Sequence, residues 1–424
     1  MERTVIGLVL AKAEGTYGTD ALPTGASNTI AVQKSTVKID AKFTHILRSI
    51  SDGSYSRVKG SNVLPEVAFS FDVELRGNYT DGASGPSDDI SSGSSAHAIE
   101  IDCLLQACDM SPAYTPETGG GRNGNVIYKP FSPATQGPSC TFYFFTGTKL
   151  HKIVGAKGTF KIDLTAGQFG KIMFSFSGMY LDTYDAALPS AGNYCSAVSI
   201  NAAGTGYVVG DILTAAGGTV AAGAVASTFL VMSVNGVGAL LGVKVLQVGL
   251  YSGSPTSPNS ATGGTGTTAS LTLTFTAQTA AVFLNTKPPI FTSSGSTVGS
   301  FTPVFTKLEF DLGAKVSKRE DANSYLGVAG FLITDRTPKV TIDTEAVTET
   351  TATLFNDLAQ ATTRTITGGI GTQSGNSFVI TLVGTSETVS YGDRSGIRTQ
   401  PISYAIERAN LSDLPNNEIA LKFS

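Results

Sequence analysis

The sequence is poor in charged side chains and contains no tryptophan. Asp, Glu, Lys and Arg together make up 15% of its 424 residues, whereas ordinary globular proteins contain about 25%. Glycine is abundant, with 48 residues, and serine and threonine recur throughout the chain. This composition favours short strands and turns over helices. We therefore expect a mainly β protein, and the length of the chain favours two domains over one.

Cysteine and histidine are scarce, which limits metal and nucleophile chemistry. The four cysteines, Cys103, Cys108, Cys140 and Cys195, include no Cys-x-x-Cys pair. This spacing favours free thiols in a protein assembled in a reducing cytoplasm. The three histidines lie on different predicted elements, and no His-Glu-x-x-His, Gly-x-Ser-x-Gly or phosphate-loop motif is present. We expect no metal site, no cofactor and no enzymatic activity.

Long apolar runs are missing as well. The apolar stretch at residues 5–10 follows Glu2 and Arg3, and it is shorter than the core of a signal peptide, so it predicts a first strand. No run reaches the length of a membrane span, and we expect a soluble protein without membrane contact. The formal net charge of −4 argues against a basic surface that grips nucleic acid. It is compatible with nucleic acid that slides past without binding.

The clearest structural pattern is a long antiparallel hairpin over residues 158–180. Phe160, Ile162 and Leu164 alternate with polar residues, which is the period of two of a half-buried strand. Residues 165–168 supply the turn, and the return strand repeats the alternation. One face of this hairpin is apolar and the other is mostly polar. It therefore has to pack on something on one side, and it presents the other side to water or to a partner.

Other segments share this alternation or show a helical period. Strands are predicted over residues 6–12, 31–39, 66–76, 126–129, 140–146, 308–312, 340–343, 378–383, 397–406 and 419–423. A helix is predicted over residues 96–108, with its apolar stripe on the hairpin. A second, short helix is predicted over residues 352–361, with Phe355, Leu358 and Ala359 facing inward.

Residues 40–65 lose the alternation. Serine, glycine and basic residues dominate this segment, and the basic ones are Lys42, Arg48, Arg57 and Lys59. A structureless segment of this length is uncommon inside a compact domain and is usually functional or completed by a partner. A loose surface loop fits the composition equally well.

The composition changes after residue 189. Between Cys195 and Phe275 only Asp211 and Lys244 are charged, and two Gly-Gly-Thr turns each precede a strand-like run. Isoleucine, leucine and valine are too frequent here for low-complexity disorder. We therefore predict a small all-β module at residues 194–277. It would be inserted into a main fold made of residues 1–193 and 278–424.

Two pairs of carboxylates stand two residues apart on predicted strands. They are Asp72 with Glu74 and Glu309 with Asp311, and this spacing places the members of each pair on one face. A glycosidase holds such a pair in a cleft, but a solvated sheet face is the commoner setting. No catalytic constellation emerges from the sequence.

Several stretches, taken in order, resemble the major tail tube proteins of long-tailed phages with non-contractile tails. They are LAKAEGTYGTD at residues 10–20, FSFDVELRG at 69–77, LLQAC at 104–108, LHKIVGAKGT at 150–159, ITDRTP at 333–338 and YGDRSGI at 391–397. Their order carries the resemblance, which covers the two outer segments. The module at residues 194–277 departs from the family pattern.

The resemblance implies a two-sheet β-sandwich or barrel with one or two short helices. Subunits of that family join their strands into rings, usually hexamers, which stack into a tube that conducts DNA. The implied partners are other copies of the chain, the tape measure, tail tip and tail terminator proteins, and phage DNA that passes without specific binding. The implied location is the virion tail, assembled in the host cytoplasm.

The resemblance also gives roles to the residues singled out above. We expect Asp72, Glu74, Glu309 and Asp311 to include residues that face the lumen, because an acidic channel does not hold DNA phosphates.

We expect the segment with Lys42, Arg48, Arg57 and Lys59 to be an arm ordered against a neighbouring ring. The inserted module is expected on the outside of the tube, where it would obstruct a contractile sheath.

Two other classes of protein remain compatible with the sequence. A secretion-system tube protein would share the split β architecture, but the insert and the opening motif argue against it. A β-rich adhesin or capsid decoration protein would explain the composition and the insert. It would not explain the long basic segment or the two helices.

Overall fold

The structure is a computed structural model that describes residues 7–51, 54–77, 99–115, 124–133, 137–284, 286–292, 295–324, 327–373 and 375–424. Strands account for 56% of the described residues and helices for 5%, which confirms the prediction of a mainly β protein. Among the described residues, no helix is long and apolar enough to cross a membrane.

The first part of the chain builds most of the main body. Its elements are β1 (Gly7–Ala13), α1 (Gly25–Asn28), β2 (Thr29–Ile30), β3 (Lys38–Arg48), β4 (Val58–Glu74), α2 (Asp102–Ala107), β5 (Met110–Thr115), β6 (Asn125–Pro130), β7 (Cys140–Thr146), β8 (Lys149–Thr165) and β9 (Lys171–Asp185). Strands β8 and β9 are the predicted hairpin, and Gly167 takes a positive φ of 75° in its turn, as glycine does without strain.

The middle of the chain forms the module. Its strands are β10 (Gly192–Ala202), β11 (Ile212–Thr214), β12 (Thr219–Val220), β13 (Thr228–Val234), β14 (Leu240–Gln247), β15 (Tyr251–Gly253) and β16 (Ser270–Gln278). They enclose a hydrophobic cluster that includes Phe229 and Leu271. The same cluster takes in Leu10, Tyr143 and Phe145 from the main body, so the module is packed onto the body through shared apolar contacts.

The last part of the chain completes the main body. Its elements are β17 (Thr297–Val298), β18 (Phe305–Asp311), β19 (Ala314–Glu320), β20 (Val328–Arg336), β21 (Lys339–Thr344), α3 (Leu354–Gln360), β22 (Thr363–Gln373), β23 (Asn376–Val389), β24 (Gly392–Arg394), β25 (Ile397–Thr399), β26 (Ile402–Ile406) and β27 (Ile419–Phe423). One hydrophobic core draws side chains from this part and from the first part alike.

Eight strands of the main body form one continuous antiparallel sheet. Their order is β3-β4-β9-β8-β18-β21-β26-β23. One face of this sheet lies on the core, where each buried Phe, Leu or Ile side chain contributes about 1.5–3 kcal/mol to the free energy of folding. We refer to it as the eight-stranded sheet.

Strand β7 lies across the core from strand β4. The ring of Phe69 on β4 stands 4.8 Å from that of Phe142 and 5.0 Å from that of Phe144 on β7. The alternate residues of β7, Tyr143 and Phe145, point the other way and belong to the core of the module. The module therefore lies on the opposite side of the main core from the outer face of β4.

The prediction of a structureless segment at residues 40–65 is wrong. This segment forms the distal parts of β3 and β4, which pair as a two-stranded ribbon from Ala41 opposite Val67 to Arg48 opposite Val58. Alternation is missing from the sequence because most of the ribbon is exposed on both faces. A strand that covers no core has no reason to alternate.

Other predicted elements differ in their extent. The strand expected at residues 31–39 is interrupted, since β2 ends at Ile30 and β3 begins at Lys38, with a positive φ of 63° at Ser35 between them. The helix expected at 96–108 begins at Asp102, and the first three of its expected positions lie outside the described residues. In α3 the buried residues are Leu354 and Asp357, whereas Ala359 is exposed. The β19–β20 hairpin and strand β22 were not predicted.

Candidate assembly surfaces

The four carboxylates predicted to face a lumen share one face of the eight-stranded sheet. Glu74 on β4 is opposite Lys171 on β9, Lys171 is opposite Asp163 on β8, and Asp163 is opposite Glu309 on β18. Directly opposed residues project from the same face of a sheet. Asp72 and Asp311 lie two positions along β4 and β18, so they project from that face too.

This face carries charges of both signs. We call it the polar face and define it by Asp72, Glu74, Asp163, Glu309, Asp311, Asp343, Lys161, Lys171, Lys307 and Lys339. Six carboxylates and four ammonium groups give these residues a net charge of −2. The sequence indicated the carboxylates but not the lysines between them, because which strands are neighbours cannot be read from alternation alone.

The lysines of the polar face are held by carboxylates. Lys161 Nζ lies 2.8 Å from Asp311, and Lys307 Nζ lies 2.7 Å from Glu309 and 3.6 Å from Asp163. The hydrogen bond that Lys161 donates to Asp311 and the charge of Asp311 raise the pKa of Lys161, and the hydrogen bond that Lys307 donates to Glu309 does the same for Lys307. These ammonium groups are therefore already paired with carboxylates of the same chain.

Asp72 differs from its neighbours on the polar face. Partial burial raises the pKa of its carboxyl group, and the nearby charges of Lys171 and Lys38 offset this only in part. Glu74 is half-buried beside it. Within the described residues neither carboxylate forms an ion pair. These two carboxylates supply the unpaired negative charge of the face.

The ribbon of β3 and β4 beyond residue 40 projects from the body, and we call its described residues, 41–51 and 54–65, the arm. Its predicted basic residues, Lys42, Arg48, Arg57 and Lys59, are all exposed. Over the part of the chain that the structure describes, none of the four forms an ion pair. They therefore offer unpaired positive charge to whatever the arm contacts.

The arm also exposes large apolar side chains. Phe43, Ile46, Leu47, Ile50 and Tyr55 are between 44% and 108% exposed. An isolated two-stranded ribbon is marginal in water, and a cluster of exposed apolar side chains marks an interaction surface. Nothing in the sequence marks these side chains as a cluster, because the segment lacks alternation and its composition predicts a loop rich in basic residues.

The β19–β20 hairpin packs against other parts of the same chain. The hydroxyl of Tyr17 accepts a hydrogen bond from the Phe331 N–H at 2.5 Å and donates one to the Gly155 carbonyl at 2.9 Å. Lys318 lies 3.9 Å from Glu66. These contacts fasten the hairpin against β8 and the base of the arm.

A buried cation stands where the module meets the body. Lys152 Nζ lies 3.2 Å from Asp20 and 4.6 Å, 5.3 Å and 5.5 Å from the ring centroids of Tyr143, Tyr184 and Tyr194. Burial lowers the pKa of Lys152, and the carboxylate of Asp20 opposes that shift. Burial also raises the pKa of Tyr194 to about 12. This cluster ties β8, the loop before β2 and the first strand of the module together.

The cysteines are free thiols. Cys108, Cys140 and Cys195 are buried and Cys103 is half-buried, and burial raises the pKa of Cys195 to about 11. In the described ranges no three His, Cys, Asp or Glu side chains come together as metal ligands would.

Comparison with models of known protein families gives no match, and no characterised protein matches the sequence.

Proposed function

We propose that the chain is a structural subunit of a tail tube, in which rings of this protein stack into a channel that conducts DNA. The exposed apolar surface of the arm carries this proposal. An isolated two-stranded ribbon is marginal in water, and the exposed side chains of Phe43, Ile46 and Leu47 mark a surface that a partner covers in an assembly.

The charge distribution favours another copy of the chain as the arm's partner. Residues 41–65 contain four basic residues and one acidic residue, for a net charge of +3, whereas the whole chain carries −4. The remainder of the chain therefore carries −7. A basic arm and an acidic body are electrostatically complementary between copies.

The polar face is suited to line the channel. The opposite face of the sheet is apolar and packs on the core. Pairing of the edge strands with those of neighbouring copies would remove the exposed edges of the sheet. Paired lysines and the net negative charge would keep DNA phosphates from binding tightly, because affinity for DNA comes mainly from free cationic contacts. The two-sheet or barrel arrangement of the family is part of this proposal.

The layer order supports an external position for the module. The module lies across the main core from the outer face of β4, so a polar face that lines the channel leaves the module on the outer wall. There it would project from the tube and would leave no room for a close-fitting sheath.

Negative-stain electron microscopy of the purified protein at high concentration tests the proposal. We expect tubes or stacked rings whose channel is wider than duplex DNA, about 20 Å across. If the protein stays monomeric even with tail-tip proteins as nucleators, the tube proposal is wrong and an adhesin or decoration protein becomes the better account.

A further inference from the structure

The main body contains the same strand arrangement twice. In the first unit, hydrogen-bonded neighbours follow the path β1-β7-β8-β9-β4-β3, and every step is antiparallel. In the chain, the strands of this path follow one another as β1, β3, β4, β7, β8 and β9, and helix α2 lies between β4 and β7.

The second unit repeats this path. Its neighbours follow β17-β22-β23-β26-β21-β18, again with every step antiparallel. Its chain order is β17, β18, β21, α3, β22, β23 and β26, so a short helix occupies the same place. Each unit also carries a hairpin between its second and third strands, the arm in the first unit and β19–β20 in the second. Six strands, five pairings, a helix and a hairpin coincide.

The two units meet edge to edge inside the eight-stranded sheet. The C-terminal part of β8 extends beyond its pairing with β7, and it pairs there with β18, the last strand of the second path, from Lys161 opposite Asp311 to Thr165 opposite Lys307. Two strand edges that correspond to those of β8 and β18 remain unpaired in the part of the chain that the structure describes. Across the described residues, β3 pairs only with β4, and the end of β23 with its continuation β24 has no partner on its outer side.

We propose that the chain is a tandem duplication of one tube-forming unit, and that the free edge of β23–β24 in one copy pairs with the free edge of β3 in the next. This inference rests on the proposed tube function and names its partner and stoichiometry. The contact between β8 and β18 is the intramolecular version of the contact between copies. One chain then contributes two units to a ring. In a ring built from subunits with one unit each, the same two units come from two chains.

Channel width then sets the number of copies. With strands about 4.8 Å apart and tilted by about 40°, two copies supply about 16 strands and leave a channel about as wide as the bare duplex, ~20 Å. Three copies supply about 24 strands and leave a channel of about 35 Å, with room for hydrated DNA. Channel width therefore excludes two copies, and the six units of a ring in the family that the sequence resembles correspond to three chains of this protein instead of six.

The hairpins support the same arrangement. The β19–β20 hairpin of the second unit rests on β8 of the first unit through Tyr17 and Phe331. The arm is its counterpart, and by the same relation it would rest on the second unit of the neighbouring copy. This explains why one hairpin is covered within the chain and the other exposes its apolar side chains.

Cryo-electron microscopy of assembled tubes tests the stoichiometry directly. Each chain carries one module, so we expect three external projections per ring and threefold symmetry, with six similar units around the channel. Rings with six chains and six projections would overturn the inference while leaving the tube function intact. Absence of any ring or tube would instead contradict the proposed function on which the inference rests.

Cross-linking gives a second readout. Lys38 and Gly392 are exposed on the two free edges. Both lie on the polar side of the sheet, since Lys38 is opposite Ser70 and Gly392 is two residues from Arg394, which donates a hydrogen bond to Asp343. The double variant Lys38→Cys/Gly392→Cys should form intermolecular disulfides in tubes, with a ladder of products that stops at three chains. The single variant Lys38→Cys should give no ladder. A ladder that reaches six chains, or tubes of the double variant that never cross-link, would contradict the proposed contact.

Discussion

At the scale of single residues, the cation at the base of the module shows how burial and charge are balanced. Lys152 is almost fully buried, with 2% of its side chain exposed, and Asp20 is its anionic partner. An ammonium group in such a place is tolerated only when its charge is met by a partner and its protons are hydrogen-bonded. The three surrounding tyrosine rings add cation–π attraction.

Removing the charge of Asp20 should therefore destabilise the fold strongly. We expect Asp20→Asn to lower the free energy of unfolding by about 3 kcal/mol, because Lys152 would be left as an uncompensated buried cation. Chemical denaturation of the monomer measures this.

The matched control for that variant is Glu320→Gln, which removes an exposed carboxylate 3.7 Å from Lys318. It should change stability by less than about 1 kcal/mol. Equal effects of the two substitutions would show that the buried pair has no special role.

Asp72 gives a pH-dependent prediction. Burial raises the pKa of its carboxyl group above the unfolded value of 3.8, so the folded protein resists its ionisation, and stability falls as pH rises from 3.8 through the folded pKa. Asp72→Asn removes this cost. We expect a melting temperature about 1 °C higher than that of the parent protein at pH 7, since the group keeps contact with water, and no difference below pH 3.8. Calorimetry at both pH values checks this, and a lower melting temperature at pH 7 would contradict it.

At the scale of elements, the arm separates stability from assembly. Replacing Ile46 and Leu47 together by serine should leave the melting temperature of the monomer unchanged, because both side chains are exposed. Assembly should be lost or shifted to at least tenfold higher protein concentration, as the loss of about 1.4 kcal/mol of contact energy implies. Sedimentation of tubes measures this concentration.

Two other leucines provide the matched control for the arm variant. Leu411 and Leu414 are 87% and 75% exposed outside the arm. Their joint replacement by serine removes a similar apolar surface, and we expect unchanged assembly. If both double variants assemble alike, the arm is not an assembly contact.

The elements that could be predicted from the sequence are those with one solvent-exposed face and one buried face. The β8–β9 hairpin, β4, β18 and β27 all alternate because the core selects every second residue. The arm could not be recognised as a ribbon, since both of its faces are exposed. The same reasoning applies to β19, whose charged residues Lys315, Lys318 and Arg319 hide its strand character.

The polar face could be predicted only within each strand. Spacing placed Asp72 beside Glu74 and Glu309 beside Asp311, but nothing in the sequence aligned β4 with β18 or interposed the lysines of β8 and β9. Strand order depends on contacts between distant parts of the chain, and alternation within one strand carries no information about its neighbours. The face that the sequence predicted to be acidic therefore carries charges of both signs, most of them paired.

At the scale of the whole molecule, the duplication was invisible in the sequence. The repeated Gly-Gly-Thr turns lie within the module and are not part of the duplicated strand arrangement. The two units share a path of strands, whereas their residues need only keep a period of two on each strand, which very different sequences satisfy.

The attachment of the module limits what a deletion can show. Removing residues 194–277 would expose Leu10, Tyr143 and Phe145, which are buried in the shared cluster. Loss of tubes after such a deletion would not distinguish aggregation of the exposed apolar surface from the loss of an assembly contact. Point substitutions on the polar face are cleaner.

Glu74 is the most informative of these substitutions for DNA passage. It forms no ion pair among the described residues, so Glu74→Lys should allow tubes to form, whereas reversing Glu309 or Asp311 would also break the pairs with Lys307 and Lys161. Virions with Glu74→Lys should eject DNA more slowly, with the largest effect at low salt because the added cations bind phosphate. Glu349→Lys, which changes an exposed carboxylate outside the polar face, should leave ejection unchanged. Unaltered ejection kinetics in Glu74→Lys would argue against a lumenal position.

Labelling of single cysteines in assembled tubes with maleimides of two sizes tests most directly whether the polar face lines the channel. Glu309→Cys reports on the polar face and Ser199→Cys on the exposed surface of the module, with the parent protein as the background of native thiols. We expect a small maleimide to modify both positions and a bulky polymer-linked maleimide to modify only position 199. Equal reaction of position 309 with the bulky reagent would contradict the claim that the polar face lines the channel.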